Sequence, residues 1–155
     1  MIEFGIITVS DTRTEETDKS GKYLQDKLTS LGNKFVTKYI VKDDAKEILM
    51  AYNKLIDTNC ELILVNGGTG IAVRDVTIET LEPQFVKLIP GFGEYFRRIS
   101  FDEIGTRALA SGATAGITAT DQLCYLLPGS TNACQTALEK VILPDLDHLI
   151  KEITK

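Results

Sequence analysis

In the stretch "LVNGGTGIAVRDVT", residues 64–77, an apolar run typical of a buried strand ends at a segment with three glycines and then passes into a predicted helix. Residues 61–66, "ELILVN", form an apolar run of strand length, which is typical of a strand covered on both faces. A short helix is predicted from residue 76 to about 82, ending before Pro83. Strand, glycine turn and helix in this order are typical of an α/β domain.

The sequence before this stretch alternates in the same way. Strands are predicted at residues 4–9 and 35–41, and helices at about 20–31 and after Asp44. We expect Ser20 to cap the first helix and Gly32 to lie just past its end, while Asp44 and Glu47 resemble a capping box for the second. The order β-α-β-α-β implies parallel strands, so residues 1–155 are predicted to form one three-layer α/β/α domain with a mostly parallel central sheet.

The sequence after this stretch predicts two further helices and two further strands. A helix is expected within "PGFGEYFRRISFDEIG", residues 90–105, and strands at 113–119 and 123–127. The last helix follows "LPGS", and we expect Pro144 to divide it from a final segment that ends near residue 153. In the first of these helices the aromatic residues expected in the core are Phe92, Tyr95 and Phe96.

Composition and charge exclude several classes of function. Apolar residues make up 43% of the chain and charged residues 25%, as in ordinary globular proteins, and the net charge of −5 argues against nonspecific binding to nucleic acid or anionic lipid. No apolar run of about 20 residues and no leader peptide is visible, so we expect a cytoplasmic protein without a membrane span. Three cysteines without CxxC spacing and the single His148 make a zinc site, disulfides or histidine-dependent nucleophilic catalysis unexpected.

The glycine-rich loop is the first candidate site. Gly67, Gly68 and Gly70 would let backbone N–H groups approach a phosphate, and Thr69 adds a hydroxyl. The loop has neither the Gly-Lys-Ser/Thr of a P-loop nor the GxGxxG dinucleotide pattern. A tight turn between strand and helix is the structural alternative.

Carboxylates near this loop indicate a magnesium site. Mg²⁺ typically binds one or two carboxylates together with water and phosphate oxygens, and Asp75 and Asp43 could supply them. Asp75 could equally be a helix N-cap, whereas Asp43 has no local structural role because Asp44 serves as the cap. Arg74 is either a phosphate ligand or a solvated surface charge.

The loop "LPGST" and the residue Glu94 complete the candidates. Pro128 and Gly129 shape a turn, while Ser130 or Thr131 could cap the following helix or present amides to an anion. Glu94 could orient a polar ligand or only stabilise the first turn of its helix.

Taken together, "VSDTR", "NGGTGIAVRDVTIETLEP", "PGFGEYFR", "EIGTRA", "ATAG" and "LPGSTNAC" resemble the MoaB/Mog family of molybdenum cofactor biosynthesis, and the "GTRA" and "LPGSTNAC" stretches resemble its MoaB branch more closely. The resemblance implies a trimer or hexamer that adenylylates molybdopterin with Mg-ATP and releases pyrophosphate. It places the essential aspartates at Asp75 and Asp43, and the ligand-binding segments at Ser10, Asp11, Gly67 to Gly70, Ser111 and Pro128 to Thr131. The alternatives are a molybdopterin-binding protein without catalysis and a domain acting on another nucleotide.

Three positions depart from the pattern of that family. Lys42 stands where the family usually has proline before the aspartate, which puts the placement of Asp43 in question. Gly112 stands where the family usually has arginine, removing an expected anion contact. Arg107, at a position where MoaB-type chains often carry serine, is hypothesised to compensate, so that its replacement by alanine would weaken binding of a phosphorylated ligand.

Overall fold

A computed structural model describes all residues from 1 to 155 and contains one six-stranded sheet. The strands are β1 (Glu3–Val9), β2 (Lys34–Val41), β3 (Leu62–Asn66), β4 (Lys87–Leu88), β5 (Thr114–Ile117) and β6 (Leu123–Leu127). Their order across the sheet is β2-β1-β3-β6-β5-β4. The pairs β1–β2, β1–β3 and β3–β6 are parallel, whereas β5 pairs antiparallel with both β6 and β4, so the predicted mostly parallel sheet is confirmed.

Six α-helices cover the two faces of the sheet. They are α1 (Lys19–Ser30), α2 (Ala45–Ile56), α3 (Thr77–Leu81), α4 (Pro90–Ile104), α5 (Thr131–Thr136) and α6 (Leu143–Ile153), with 3₁₀ turns at Glu82–Gln84 and Gly105–Ala110. A π-helical segment, Ala137–Ile142, joins α5 to α6. None of these helices combines the length and the apolar composition that a membrane span requires.

The core consists of two apolar clusters, one on each face of the sheet. Successive side chains of a strand point to opposite faces, so Phe4 and Ile6 enter one cluster while Ile7 and Val9 enter the other. The first cluster, of 19 buried residues, includes side chains of α1, α4, α5 and α6. The second, of 12, includes side chains of α2 and α3. This arrangement confirms the predicted three layers.

The helix ends follow the predictions in two cases and differ in one. Asp44 Oδ2 accepts a hydrogen bond of 3.0 Å from the Glu47 amide, and Gly32, with φ of +90°, lies just past α1 as expected. Ser20 is not the cap of α1. Asp18 caps it instead, accepting from the Gly21 amide at 3.0 Å, because α1 begins one residue earlier and Ser20 turns inward.

Two other expectations need correction. Tyr95 was expected in the core but is 54% exposed, because only Phe92 and Phe96 of α4 face the sheet. Pro144 does mark the start of the expected final segment, since it lies in the first turn of α6, which ends at Ile153. The π-helical segment, however, joins α5 to α6 without a break in the helix.

The two-residue strand β4 was not predicted. Lys87 and Leu88 are both exposed, so they carry neither the buried apolar run nor the alternation that marks a strand. They extend the sheet only because they pair with β5, where Leu88 lies opposite Gly116.

Candidate functional site

A polar cleft of about 420 Å³ opens at the carboxyl ends of β1, β2, β3 and β6. This is the edge where ligands bind in open parallel sheets, because loops from neighbouring strands converge there. Of the sequence-predicted site residues, those that line the cleft are Ser10, Asp11, Asp43, Gly67, Gly68, Thr69, Gly70, Arg74, Asp75, Ser111, Pro128 and Gly129. The loops that follow β1, β2, β3 and β6 therefore converge on this cleft.

Three predicted residues lie outside this lining. Glu94 is an exposed residue of α4 and does not reach the cleft. Ser130 is occupied as the cap of α5, where its hydroxyl accepts from the Ala133 amide at 3.1 Å, and Thr131 is the first residue of that helix. Capping thus accounts for Ser130, and the turn of Pro128 and Gly129 is the part of "LPGST" that borders the cleft.

The glycine loop has a backbone that other residues would not easily adopt. Gly67 and Gly68 have φ of +100° and +69°, in the left-handed region, and a Cβ on Gly67 would overlap the carbonyl oxygen of Val9. The loop is held from both sides. The Gly67 amide donates to the Leu127 carbonyl at 2.9 Å, and the Thr77 hydroxyl donates to the Gly67 carbonyl at 2.8 Å. These bonds hold the Gly67 end of the loop in its left-handed conformation.

Asp75 is not the helix cap that its position allowed. The N-cap position of α3 is Val76, and no side chain caps that helix. Asp75 Oδ2 instead accepts from the Ala72 amide at 3.0 Å, and a Cβ on Gly70 would lie 2.8 Å from the same oxygen. The carboxylate therefore closes the end of the glycine loop and lines the cleft.

Asp43 lies against the same loop, beside Gly68, despite the departure at Lys42. A Cβ on Gly68 would lie 3.1 Å from Asp43 Oδ1, and the Asp43 amide donates to Asp11 Oδ1 at 2.9 Å. Partial burial raises the pKa of Asp43, and the nearby charges of Asp11 and Asp75 raise it further, whereas Arg74 acts to lower it. The negative charge of the carboxylates in this corner of the cleft exceeds the single positive charge of Arg74.

Asp43 and Asp75 would suit a magnesium ion whose remaining ligands are water and phosphate oxygens, rather than an ion held by protein side chains alone. No group of three or more metal-binding side chains is gathered closely enough to hold an ion by itself. Mg²⁺ needs only one or two carboxylates when water and phosphate oxygens fill the rest of its shell. The charge excess around Asp43 is the observation that favours a cation there.

Arg13 is the charged residue of the cleft that the sequence did not indicate. Its Nη1 donates to Ser20 Oγ at 2.6 Å and its Nη2 to the Gly129 carbonyl at 2.7 Å, while the Asn66 Oδ1 accepts from Nη1 at 3.5 Å. The only sequence signal was that Arg13 lies in the polar segment "SDTR" after the first predicted strand. Its partners lie up to 116 residues away, so no local pattern indicated them.

Behind Arg13 a chain of buried polar groups runs into the domain. Asn66 Nδ2 donates to Thr8 Oγ1 at 3.0 Å, and Thr8 Oγ1 donates to Asp18 Oδ2 at 2.9 Å. Asp18 also forms an ion pair of 3.1 Å with Lys38 Nζ, and both side chains are almost fully buried. Together with the bonds of Arg13 itself, these contacts hold its guanidinium in one orientation at the cleft.

The segment of Ser111 and Gly112 forms the opposite wall of the cleft. Arg97 donates to the carbonyls of Ser111 at 3.4 Å and Ala113 at 3.1 Å. A Cβ on Gly112 would overlap the Thr69 carbonyl oxygen, so the arginine usual in the family does not fit this backbone. Arg107 is exposed and does not line the cleft, which gives no support to the compensation hypothesised for it.

We expect Gly112→Ala to lower the free energy of unfolding by about 1–3 kcal/mol, because the added methyl forces the 110–112 segment away from Thr69. Urea denaturation measures this change. Gly91→Ala is the matched control, since a Cβ there meets nothing within 4 Å and should leave stability unchanged or slightly raised. Equal stability of the two variants would contradict the close contact.

Cysteine and histidine take no part in the cleft. The three cysteines are free and buried, and burial raises the pKa of the Cys134 thiol to about 12. His148 lies on α6, where it is exposed and contacts Asp145. Neither residue type is among the residues that line the cleft, so any chemistry there depends on carboxylates, hydroxyls, amides and arginine.

Comparison with known sequences gives a consistent result over the whole chain. Residues 5–148 match a family model described as "Probable molybdopterin binding domain". The chain is 45% identical to molybdenum cofactor biosynthesis protein B of Bacillus subtilis over 152 residues, which cover 97% of this chain and 89% of that protein. The corresponding protein of Staphylococcus carnosus is also 45% identical, with 99% and 92% covered.

Solved structures agree with these matches. A crystal structure of a molybdenum cofactor biosynthesis protein B has a TM-score of 0.94 at 43% identity, covering 99% of this chain and 96% of that one. The tungsten cofactor synthesizing protein MoaB from Pyrococcus furiosus has a TM-score of 0.91 at 38% identity, covering 99% and 98%. A MogA structure has a TM-score of 0.88 at 25% identity, with 97% and 99% covered.

Proposed function

The chain belongs to the MoaB-type molybdenum cofactor biosynthesis proteins, and from this premise we propose that it is a Mg²⁺-dependent molybdopterin adenylyltransferase. The observation that carries the proposal is the placement of two carboxylates against one glycine loop. Asp43 lies against Gly68 and Asp75 against Gly70. This is an arrangement suited to phosphate groups that share a divalent cation.

In the proposed reaction the phosphate of molybdopterin attacks the α-phosphorus of ATP. One P–O bond forms, the bond between the α-phosphorus and the bridging oxygen breaks, and pyrophosphate leaves with the bond electrons. The attacking phosphate is already largely ionised at neutral pH, since the second pKa of a phosphate monoester is about 6. No protein base is therefore required, which agrees with a cleft that contains neither histidine nor cysteine.

The residues of the chain would act by alignment and charge balance. The backbone amides of Gly67 to Gly70 and the hydroxyl of Thr69 would hold phosphate oxygens, while Asp43 and Asp75 would hold Mg²⁺. The ion would neutralise the charge that develops on the α-phosphate and on the leaving pyrophosphate. Because the loop is fixed before the ligand arrives, little reorganisation is needed at the moment of reaction.

The decisive experiment is incubation of the protein with molybdopterin, ATP and MgCl₂, followed by mass spectrometry of the pterin product. We expect adenylylated molybdopterin and one pyrophosphate for each product molecule, with no product when EDTA removes Mg²⁺. An active adenylyltransferase run in parallel validates the substrates. Absence of product from this protein alone would exclude the catalytic proposal.

A second candidate function is binding of molybdopterin without catalysis. The observation that favours it is Gly112, which leaves this wall of the cleft without the cation that the family usually has there. In that case calorimetry would detect molybdopterin binding that is independent of ATP, and the product assay would remain negative.

We also propose that the chain forms a homotrimer or a hexamer, as its resemblance to the MoaB/Mog family implies. Exposed apolar side chains on α4 and the following 3₁₀ turn, among them Phe101, Ile104 and Leu109, are compatible with burial between copies. Sedimentation equilibrium measures the number of chains directly, and a monomer at micromolar concentration would exclude this assembly.

A further inference from the structure

Arg13 and Asp43 border the glycine loop at different residues. Arg13 lies beside Gly129, and a Cβ on Gly129 would be 3.8 Å from Arg13 Nη2 and 3.2 Å from Gly67 Cα. Asp43 lies beside the next residue, Gly68. A ligand lying across Gly67 and Gly68 would therefore have a guanidinium at one end and a carboxylate corner at the other.

Arg13 is held in place but still has hydrogen atoms to donate. A guanidinium has five N–H groups, and the bonds to Ser20, Asn66 and Gly129 account for three of them. Its side chain is 28% exposed, on the side where it lines the cleft. The Nε hydrogen and one Nη2 hydrogen have no partner within the protein, while Nη1 also lies 3.9 Å from the buried carboxylate of Asp18.

We propose that Arg13 binds the terminal phosphate of molybdopterin and so selects the phosphorylated pterin, while the α-phosphate of ATP occupies the carboxylate side of the glycine loop. This inference rests on the proposed function and names the residue that would recognise one of its two substrates. A planar guanidinium suits two oxygens of a phosphate at once, and rigid buried partners keep it in that orientation. The phosphate would then lie next to Gly67, one residue from the side where Asp43 is found.

Arg74, the other arginine of the cleft, is a poorer candidate for this role. It is exposed, makes no hydrogen bond within the protein, and lies close enough to Asp43 for its charge to act on that carboxylate. An arginine without fixed partners loses more side-chain freedom when it binds a phosphate. Arg13 has already lost that freedom through its contacts with Ser20 and Gly129.

The test is calorimetric titration of molybdopterin, and of the same pterin after phosphatase treatment, into the protein without ATP or Mg²⁺. We expect the wild type to prefer the phosphorylated form, and Arg13→Gln to reduce that preference by about ten- to a hundredfold, the usual effect of losing a charge-assisted hydrogen bond. Affinity for the dephosphorylated form should change little. Arg98→Gln removes an exposed arginine of α4 outside the cleft and should leave the preference intact.

If Arg13→Gln does not fold, the inference can still be tested with Arg13→Lys and with a competition experiment on the wild-type protein. Arg13→Lys keeps the charge but not the planar donors, so its preference should fall between those of the wild type and Arg13→Gln. In the wild type, inorganic phosphate should displace phosphorylated molybdopterin more readily than the dephosphorylated form. Equal displacement of both forms, or an Arg13 variant that keeps the full preference, would overturn the assignment.

These outcomes are separable from those of the adenylylation assay. Loss of phosphate preference in Arg13→Gln supports the inference even when the wild type makes no adenylylated product. If the wild type does make the product, Arg13→Gln should raise KM for molybdopterin about tenfold or more while KM for ATP stays within twofold. A rise of both constants together would assign Arg13 to support of the loops alone.

Discussion

Asp75→Asn is expected to reduce the turnover number for adenylylation at least about a hundredfold, because the variant loses the negative charge that would hold Mg²⁺. The fold should survive, since the amide oxygen of asparagine can still accept the hydrogen bond from Ala72. Single-turnover assays with saturating ATP and molybdopterin measure the effect, and urea denaturation checks stability. Mg²⁺ affinity, measured by titration in the presence of ATP, should fall together with turnover.

Asp44→Asn is the matched control for this variant. Asp44 carries the same charge one residue after Asp43, but its side chain caps α2 and does not line the cleft. Asparagine caps helices as well as aspartate does, so both activity and stability should stay close to the wild type. If Asp75→Asn retained more than a third of the wild-type turnover, the metal role assigned to Asp75 would be wrong.

Asp18→Ala is expected to lower the free energy of unfolding by about 3–5 kcal/mol, the usual result of removing one partner of a buried ion pair. The ammonium of Lys38, 6% exposed, would lose its fully buried partner, and Thr8 would lose the acceptor of its hydroxyl. The cap of α1 would be lost as well. Denaturant unfolding followed by circular dichroism measures the change.

Two further variants test whether the stability lost in Asp18→Ala comes from the burial of the ion pair or from its charges alone. Glu15 contacts the same ammonium at 3.4 Å but is 69% exposed, so Glu15→Ala should cost less than about 1 kcal/mol. Replacing Lys38 with methionine in the Asp18→Ala background removes the ammonium that has lost its buried partner and should restore part of the lost stability. Equal losses for Asp18→Ala and Glu15→Ala would show that burial does not strengthen this pair.

Each element that was predicted correctly is marked by residues that are adjacent to one another in the sequence. The strands β1, β2 and β3 are apolar runs, and Asp43 and the glycine loop follow the ends of β2 and β3 directly. In a parallel sheet these ends meet at one edge, so their convergence follows from topology alone. The resemblance to a known family then made molybdopterin the expected ligand and favoured metal binding over helix capping as the predicted role of Asp75.

The elements that were missed depend on partners distant in the chain. Arg13 and Asp18 are polar residues near the first loop, where composition gives no indication that Asn66, Gly129 and Lys38 surround them. The strand β4 exists only through its pairing with β5. Such features need the folded arrangement, because the residues concerned look like ordinary surface residues in the sequence.

The ion pair of Lys38 with Asp18 also bears on self-association. β2 is eight residues long and lies at the edge of the sheet, where free backbone groups could template a strand from another chain. Natural sheets discourage such growth with lysines and with charges directed inward along the edge strand. Lys38 is an inward charge of this kind, so neutralising it would favour edge-to-edge aggregation in concentrated samples, even where the stability of the single domain was preserved.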